Sequence, residues 1–137
     1  MQGSRDDRPP AARLLGRRVL AVDPEKRSVE VSFEAVDGFT NRHGTVQGGF
    51  LAAMLDSAAG NALIASLQAD QSAVTVRLDT RFLAPASAGT LRARAQVLSA
   101  SDRTAEVDAS LLDEDGRTVA TARAEMRIFR KALGSGA

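Results

Sequence analysis

A single carboxylate, Asp56, interrupts a run of apolar and small side chains, GGFLAAMLDSAAGNALIASL, at residues 48–67. The run contains no proline. Phe50, Leu51, Met54, Leu55, Ala58, Ala62 and Leu63 recur at three- and four-residue spacing, which predicts one helix about 30 Å long. An ionised carboxylate inside such a helix costs several kcal/mol unless it is paired or put to use. The chemistry open to it is that of a general base acting on water, or of a nucleophile that takes up an acyl group. The bland alternative is a carboxylate that pairs with an arginine or ties down a neighbouring loop.

Gly48 and Gly49 open the same run. The N–H groups of a first helical turn have no intrahelical acceptor, and the helix dipole adds positive potential there. A glycine also lets a reacting group come close to the backbone. These are the requirements for holding an oxyanion; the alternative is a pair of glycines that only permits a tight turn and close packing. Asp56 follows Gly48 by eight residues, about 12 Å of helical rise. One reacting carbon must lie within about 3 Å of both groups. A single chain does not readily meet that condition, whereas two antiparallel chains do. The spacing points to an obligate dimer with two sites at the subunit interface.

Composition narrows the field. A chain of 137 residues is one domain with room for a real core. The net charge is +1 and the basic residues are dispersed, unlike the clustered basic face that nucleic acid requires. There is no Cys and a single His, His43, so thiolate chemistry is excluded and no metal centre is expected. No apolar signal core is present, and Asp56 argues against a membrane span. The expectation is a soluble, cytoplasmic protein. Without Trp or Tyr, aromatic stacking is not a main binding device.

The elements that must position these residues follow from period-two patterning. Residues 1–10 read as a flexible tail, 11–131 as one domain and 132–137 as a second tail. Residues 11–16 suit a short helix closed by Gly16, and 17–22 a short strand. Val29, Val31 and Phe33 alternate with polar residues. So do four later segments, centred on Val74–Phe82, Leu91–Val97, Ala105–Leu111 and Ala120–Ile128. In the first of these, parity puts Val74, Val76, Leu78 and Phe82 on one face and Thr75 with Arg77 and Asp79 on the polar one. Each strand has one apolar face, and the long helix is the partner available to cover it. The fold class is α+β: a curved antiparallel sheet wrapped around one long central helix.

That arrangement is the hotdog fold. The sequence resembles the hotdog acyl-CoA thioesterases of the phenylacetic-acid-degradation, or PaaI-like, type in the 4-hydroxybenzoyl-CoA thioesterase superfamily, over roughly residues 14–129. The family pattern is an Asn, a Gly three residues on, a His-Gly-Gly at the helix start, and an acid eight positions after the first Gly of that pair. Here it reads Asn41, Gly44, Gln47-Gly48-Gly49 and Asp56, followed by Val74-Thr75-Val76-Arg77-Leu78 and Phe82-Leu83-Ala84-Pro85-Ala86.

The resemblance implies hydrolysis of an acyl-CoA thioester to free acid and coenzyme A, with no cofactor, by a homodimer or a dimer of dimers. Gly48 polarises the carbonyl and Asp56 is the acid. Thr75 matches the family's strand hydroxyl and would hold Asp56 or orient water; an edge position or a bulge would reconcile this with its parity. Asn41 would hold water or the carbonyl. Gln47 stands where the family has His and cannot carry a titrating proton. It is read as a positioning residue, because a thiol with a pKa of about 8.5 leaves as thiolate with little help. Gly49, Phe50, Met54 and Leu83 are the expected acyl contacts. Arg77, Arg81, Arg130 and Lys131 are candidates for the coenzyme's phosphates. The rival readings are a non-catalytic acyl-CoA-binding protein and a hotdog dehydratase, for which only His43 could supply the imidazole.

Overall fold

A computed structural model of the chain describes residues 6–132. The alternating segments pair, all antiparallel, into one six-stranded sheet of order β1-β2-β4-β5-β6-β3. Its members are β1 (Arg18–Asp23), β2 (Ser28–Ala35), β3 (Gln71–Phe82), β4 (Gly89–Ala100), β5 (Thr104–Leu112) and β6 (Thr118–Arg130). A short helix α1 (Pro10–Leu14) precedes the sheet, and the long helix α2 (Gly48–Ile64) lies between β2 and β3. Strands β4, β5 and β6 form a meander. Strand β3 comes before them in sequence but pairs with β6, at the opposite edge of the sheet from β1.

The apolar sides of the strands turn inward, with Val31, Phe33, Leu91, Val107 and Leu111 essentially sealed from solvent. Many inner positions are alanine, including Ala93, Ala95, Ala109, Ala122 and Ala124, and their small side chains let α2 approach the sheet. From the helix, Leu51, Met54, Leu55, Ala58, Ala62 and Leu63 fill the space. Burying each large one stabilises the fold by about 1.5–3 kcal/mol. That outweighs the roughly 1 kcal/mol by which a helical glycine is disfavoured.

The helix ends at Ile64 rather than near Leu67. The Ser66 N–H and hydroxyl both donate to the Leu63 carbonyl, at 2.9 and 2.8 Å, and tighten the last turn. The helix is also not wrapped on all sides within one chain. Gly49, Ala53 and Ile64 are exposed along one stripe, with Asp56, Ser57 and Gly60 half-buried beside it.

Residues 1–5 and 133–137 of the expected tails lie outside the described residues. Within 6–10, the Arg8 guanidinium donates to the Arg17 carbonyl at 2.7 Å and pairs with Asp6 at 2.6 Å, and Pro10 already begins α1. That helix is closed by Gly16, which adopts φ +63° with its absent Cβ only 2.9 Å from the Glu34 Cβ. Gly16→Ala is therefore expected to lower stability by at least about 1 kcal/mol, through left-handed backbone strain and the clash. Denaturant unfolding of the two proteins measures it.

Candidate active site

Thr75 reaches the helix because β3 breaks its own alternation. Thr75 lies opposite Met126, but Arg77 lies opposite Glu125, so Val76 is an extra residue in a β-bulge. Before the bulge Ala73 and Thr75 share the register of the buried Ile128 and Met126; after it Leu78, Thr80 and Phe82 face inward. The polar-face placement of Thr75 given by simple parity is thus corrected. So is the placement of Val74 and Val76 in the core: they are 50 % and 53 % exposed.

The Thr75 hydroxyl donates to Asp56 Oδ1 at 2.7 Å, within the range of a charge-assisted hydrogen bond. Asp56 Oδ2 has no partner among the described residues. The carboxylate is half-buried on the flank of the open helix stripe, so one oxygen is fixed and the other is presented. Thr75→Val keeps the shape and removes the donor. It is expected to lower kcat by roughly tenfold, the worth of one hydrogen bond to a charged group, with Thr75→Ser restoring most of it. Steady-state thiol release on the two variants checks this.

The second half of the site is the start of α2. Gln47 is extended (φ −63°, ψ 139°) and caps the helix without its side chain; its carbonyl accepts the Phe50 N–H at 2.9 Å. The N–H groups of Gly48 and Gly49 meet no acceptor among the described residues. A Cβ on Gly48 would stand 3.3 Å from the Phe82 ring, whereas nothing lies within 4 Å of one on Gly49. The preceding loop is held by the bond from the Val46 N–H to the Ala86 carbonyl (2.8 Å) and by Asn41. Asn41 Oδ1 accepts the His43 N–H at 2.9 Å and both the N–H and the hydroxyl of Thr45 at 3.3 Å. Its carbonyl is thereby spent on shaping the turn, and its NH2 is the group left to meet a ligand.

The two halves stay apart in one chain. Asp56 meets β3 at Thr75, and Gly48 meets it at Phe82, seven residues further on. Strand and helix run in opposite directions, and eight helical residues again give about 12 Å.

Of the expected acyl contacts, Phe50 is stacked on Phe39 with ring centroids 4.1 Å apart. Met54 is 0 % exposed; it points into the sheet and offers no surface to a bound group in this chain. Leu83 is 58 % exposed. Among the basic residues, Arg77 pairs with Asp79 and Arg130 with Asp70, and Lys131 Nζ donates to the Ala69 carbonyl at 3.4 Å. Arg81 is exposed with no ion-pair partner among the described residues. His43 and Gln47 are exposed. One residue escaped sequence reasoning. The half-buried Arg17 guanidinium donates to Ser57 Oγ at 3.1 Å, next to Asp56 on the helix. Desolvation, then the Arg8 charge, pulls it below its usual pKa. Nothing in the pattern of 17–22 marked it.

Comparison with known proteins identifies the family and the fold. The sequence model of the thioesterase superfamily matches residues 43–120, which include Gly48, Asp56 and Thr75. A phenylacetic acid degradation-related protein of Ralstonia eutropha is 39 % identical, with TM-score 0.86, covering 89 % of this chain and 92 % of that one. The E. coli PaaI protein, from the phenylacetic acid degradation operon, is 26 % identical with TM-score 0.82, covering 90 % and 87 %. The BH2602 protein of Bacillus halodurans, solved with CoA, is 28 % identical with TM-score 0.70, covering 73 % and 66 %. A comparison with curated proteins gave no match. No helix among the described residues is long and apolar enough to cross a membrane. Matched over more than half its length by the superfamily model and over most of it by a solved relative, the chain belongs to the thioesterase superfamily, as a hotdog-fold thioester hydrolase of the phenylacetic-acid-degradation type.

Proposed function

We propose that the protein hydrolyses an acyl-CoA thioester to a free acid and coenzyme A, at two equivalent sites on the interface of a homodimer. The observation that carries this reading is the pairing of a Thr75-held carboxylate, with one oxygen free, and N–H groups at the start of the same helix that, among the described residues, meet no acceptor. The thioester carbonyl accepts the Gly48 N–H, which holds the charge that develops on oxygen. Asp56 of the other chain either takes a proton from attacking water or adds to the carbonyl itself. The C–S bond then breaks and the thiolate leaves, to be protonated from Asp56 or solvent. In the second route water resolves the mixed anhydride, and single turnover in heavy-oxygen water separates the two by labelling the protein carboxylate.

Three features support the dimer. Strand β3 is a twelve-residue edge that, among the described residues, pairs with β6 alone, and it carries the exposed Val74 and Val76; a free edge of that kind invites pairing. The open helix stripe lies beside it. Antiparallel pairing of β3 with a second copy, about a two-fold axis near Leu78–Asp79, sets the Phe82 end of one strand beside the Thr75 end of the other. Gly48 and Asp56 of different chains then meet. Two such dimers pairing would give the tetramer. The coenzyme is supported by the CoA in the Bacillus halodurans relative, and Arg81, exposed and without an ion-pair partner among the described residues, is a cation that can meet its phosphates.

The test is thiol release from a panel of short, long and aromatic acyl-CoA thioesters. Turnover of at least one is expected. Tight acyl-CoA binding without turnover of any would instead make this an acyl-CoA-binding protein, with Gln47 in the family's His position as the cause.

A further inference from the structure

Asp56 and Ser57 are neighbours on α2, yet they are tied toward opposite edges of the sheet. Asp56 Oδ1 accepts the hydroxyl of Thr75, on β3, at 2.7 Å. Ser57 Oγ accepts Arg17 Nη1 at 3.1 Å, and Arg17 is the residue just before β1. Strands β1 and β3 are the two ends of the strand order. Consecutive helical residues lie about 100° apart around the axis, so the two bonds hold the two flanks of the helix at one level. The open stripe between them carries only small groups, at Ala53 and Gly60, and the next core-facing residues are Ala58, Ala59 and Ala62. Small side chains interdigitate little with an alanine-lined sheet, which leaves the polar ties to fix the rotation of this turn.

The arginine is an unexpected choice for a plain packing contact. Arg17 is half-buried, forms no ion pair among the described residues, and is disfavoured as a cation by desolvation and then by the Arg8 charge. An apolar side chain would cover the helix flank without that cost. The guanidinium also starts from a fixed base. The Arg17 N–H donates to the Ala12 carbonyl at 2.9 Å, and the Arg17 carbonyl accepts the Arg8 guanidinium at 2.7 Å. The Glu34 N–H donates to the Leu15 carbonyl at 2.9 Å and joins the segment to β2.

We propose that Arg17 is a positioning residue for hydrolysis: through Ser57 it sets the rotation of α2, and so the aim of the Asp56 carboxylate, opposite the tie from Thr75. The inference rests on the thioesterase reading and adds to it a residue that never touches substrate. A carboxylate oxygen lies roughly 6 Å from the helix axis, so a rotation of about 10° moves it by about 1 Å. A misplacement of that size lowers a rate by up to about 10²-fold. In the proposed dimer the carbonyl is held by the other chain, so an error in aim is not offset by a matching shift of the substrate.

The experiment measures kcat, KM and the thermal midpoint for Arg17→Met, Ser57→Ala, their double variant and Ser57→Thr, on one thioester that the native protein hydrolyses. Arg17→Met and Ser57→Ala are each expected to lower kcat by about tenfold with KM within about twofold of native. The double variant should be no slower than either single one, because one bond serves both residues. Ser57→Thr keeps the hydroxyl and should keep most of the rate. Alanine is the strongest helix former, so the Ser57 pair decides the matter even if Arg17→Met fails to fold. Adding Arg17→Met to Asp56→Asn should lower kcat no further, since no basic oxygen remains to be aimed. Native kcat in Ser57→Ala, or multiplying losses in the double variant, overturns the proposal and leaves the hydrolase reading standing. A further tenfold loss in the Asp56→Asn background also overturns it, because Arg17 then acts on something other than the carboxylate. No hydrolysis of any thioester by the native protein would overturn the reading and this inference together.

Discussion

Asp56→Asn is expected to lower kcat by about 10²–10⁴-fold while leaving the fold intact. Asparagine has the shape of aspartate and retains an Oδ1 that can accept the Thr75 hydroxyl, the bond seen at 2.7 Å. It removes the charge and the basic oxygen, which are what the proposed chemistry uses. Because Asp56 is half-buried and has no cationic partner among the described residues, the substitution orphans no buried charge. A large loss of stability is therefore not expected. The two effects separate in one preparation: thiol release falls while the thermal midpoint holds. Activity within about tenfold of native would remove Asp56 from the chemistry and leave it a helix–strand tie.

The second large effect is expected from Gly48→Pro. Gly48 is the first helical residue, where proline fits because its missing N–H has no intrahelical role. Gln47 already has the extended backbone that proline imposes on its neighbour. The substitution thus deletes the candidate oxyanion donor with little cost to the helix. Its ring does crowd Phe82, and Gly48→Ala is the control, since it adds a Cβ at the same place and keeps the N–H. Loss of one such donor lowers kcat by about 10²–10³-fold, and that is the expected ratio between the alanine and proline variants. Equal activities would move the oxyanion site elsewhere, Gly49 being the neighbouring donor.

Much of the candidate site was legible in the sequence, for identifiable reasons. An acid in an apolar run is conspicuous because its burial is costly, and Gly48-Gly49 announces a helix start. Alternation gave the inward faces of β2, β4, β5 and β6, because strand parity there is unbroken over the core. It failed in the first half of β3: the extra residue Val76 switches the parity, so that Leu78 and Phe82 face inward as read whereas before the bulge Thr75 faces inward and Val74 outward. A bulge leaves no compositional mark, so the face of Thr75 could not be read from parity, only its possible resolution. Strand order was equally silent: nothing local says that β3 pairs with β6 rather than with β4. Phe82 read as a core residue because its face is right; its exposure depends on where the helix begins in space. Asn41 read as a ligand group; that its Oδ1 is occupied by three loop donors, leaving only the NH2 for a ligand, depends on the shape of the turn and was not legible.

The central claim is that each site takes its oxyanion donor from one chain and its carboxylate from the other. Mixing the Gly48→Pro and Asp56→Asn subunits after dissociation tests it most directly. Every mixed dimer then holds one site with both lesions and one with neither. With random pairing, activity should recover to about one quarter of native, far above either variant alone. Verified mixed dimers that show no more activity than the sum of the two parents would contradict the shared site.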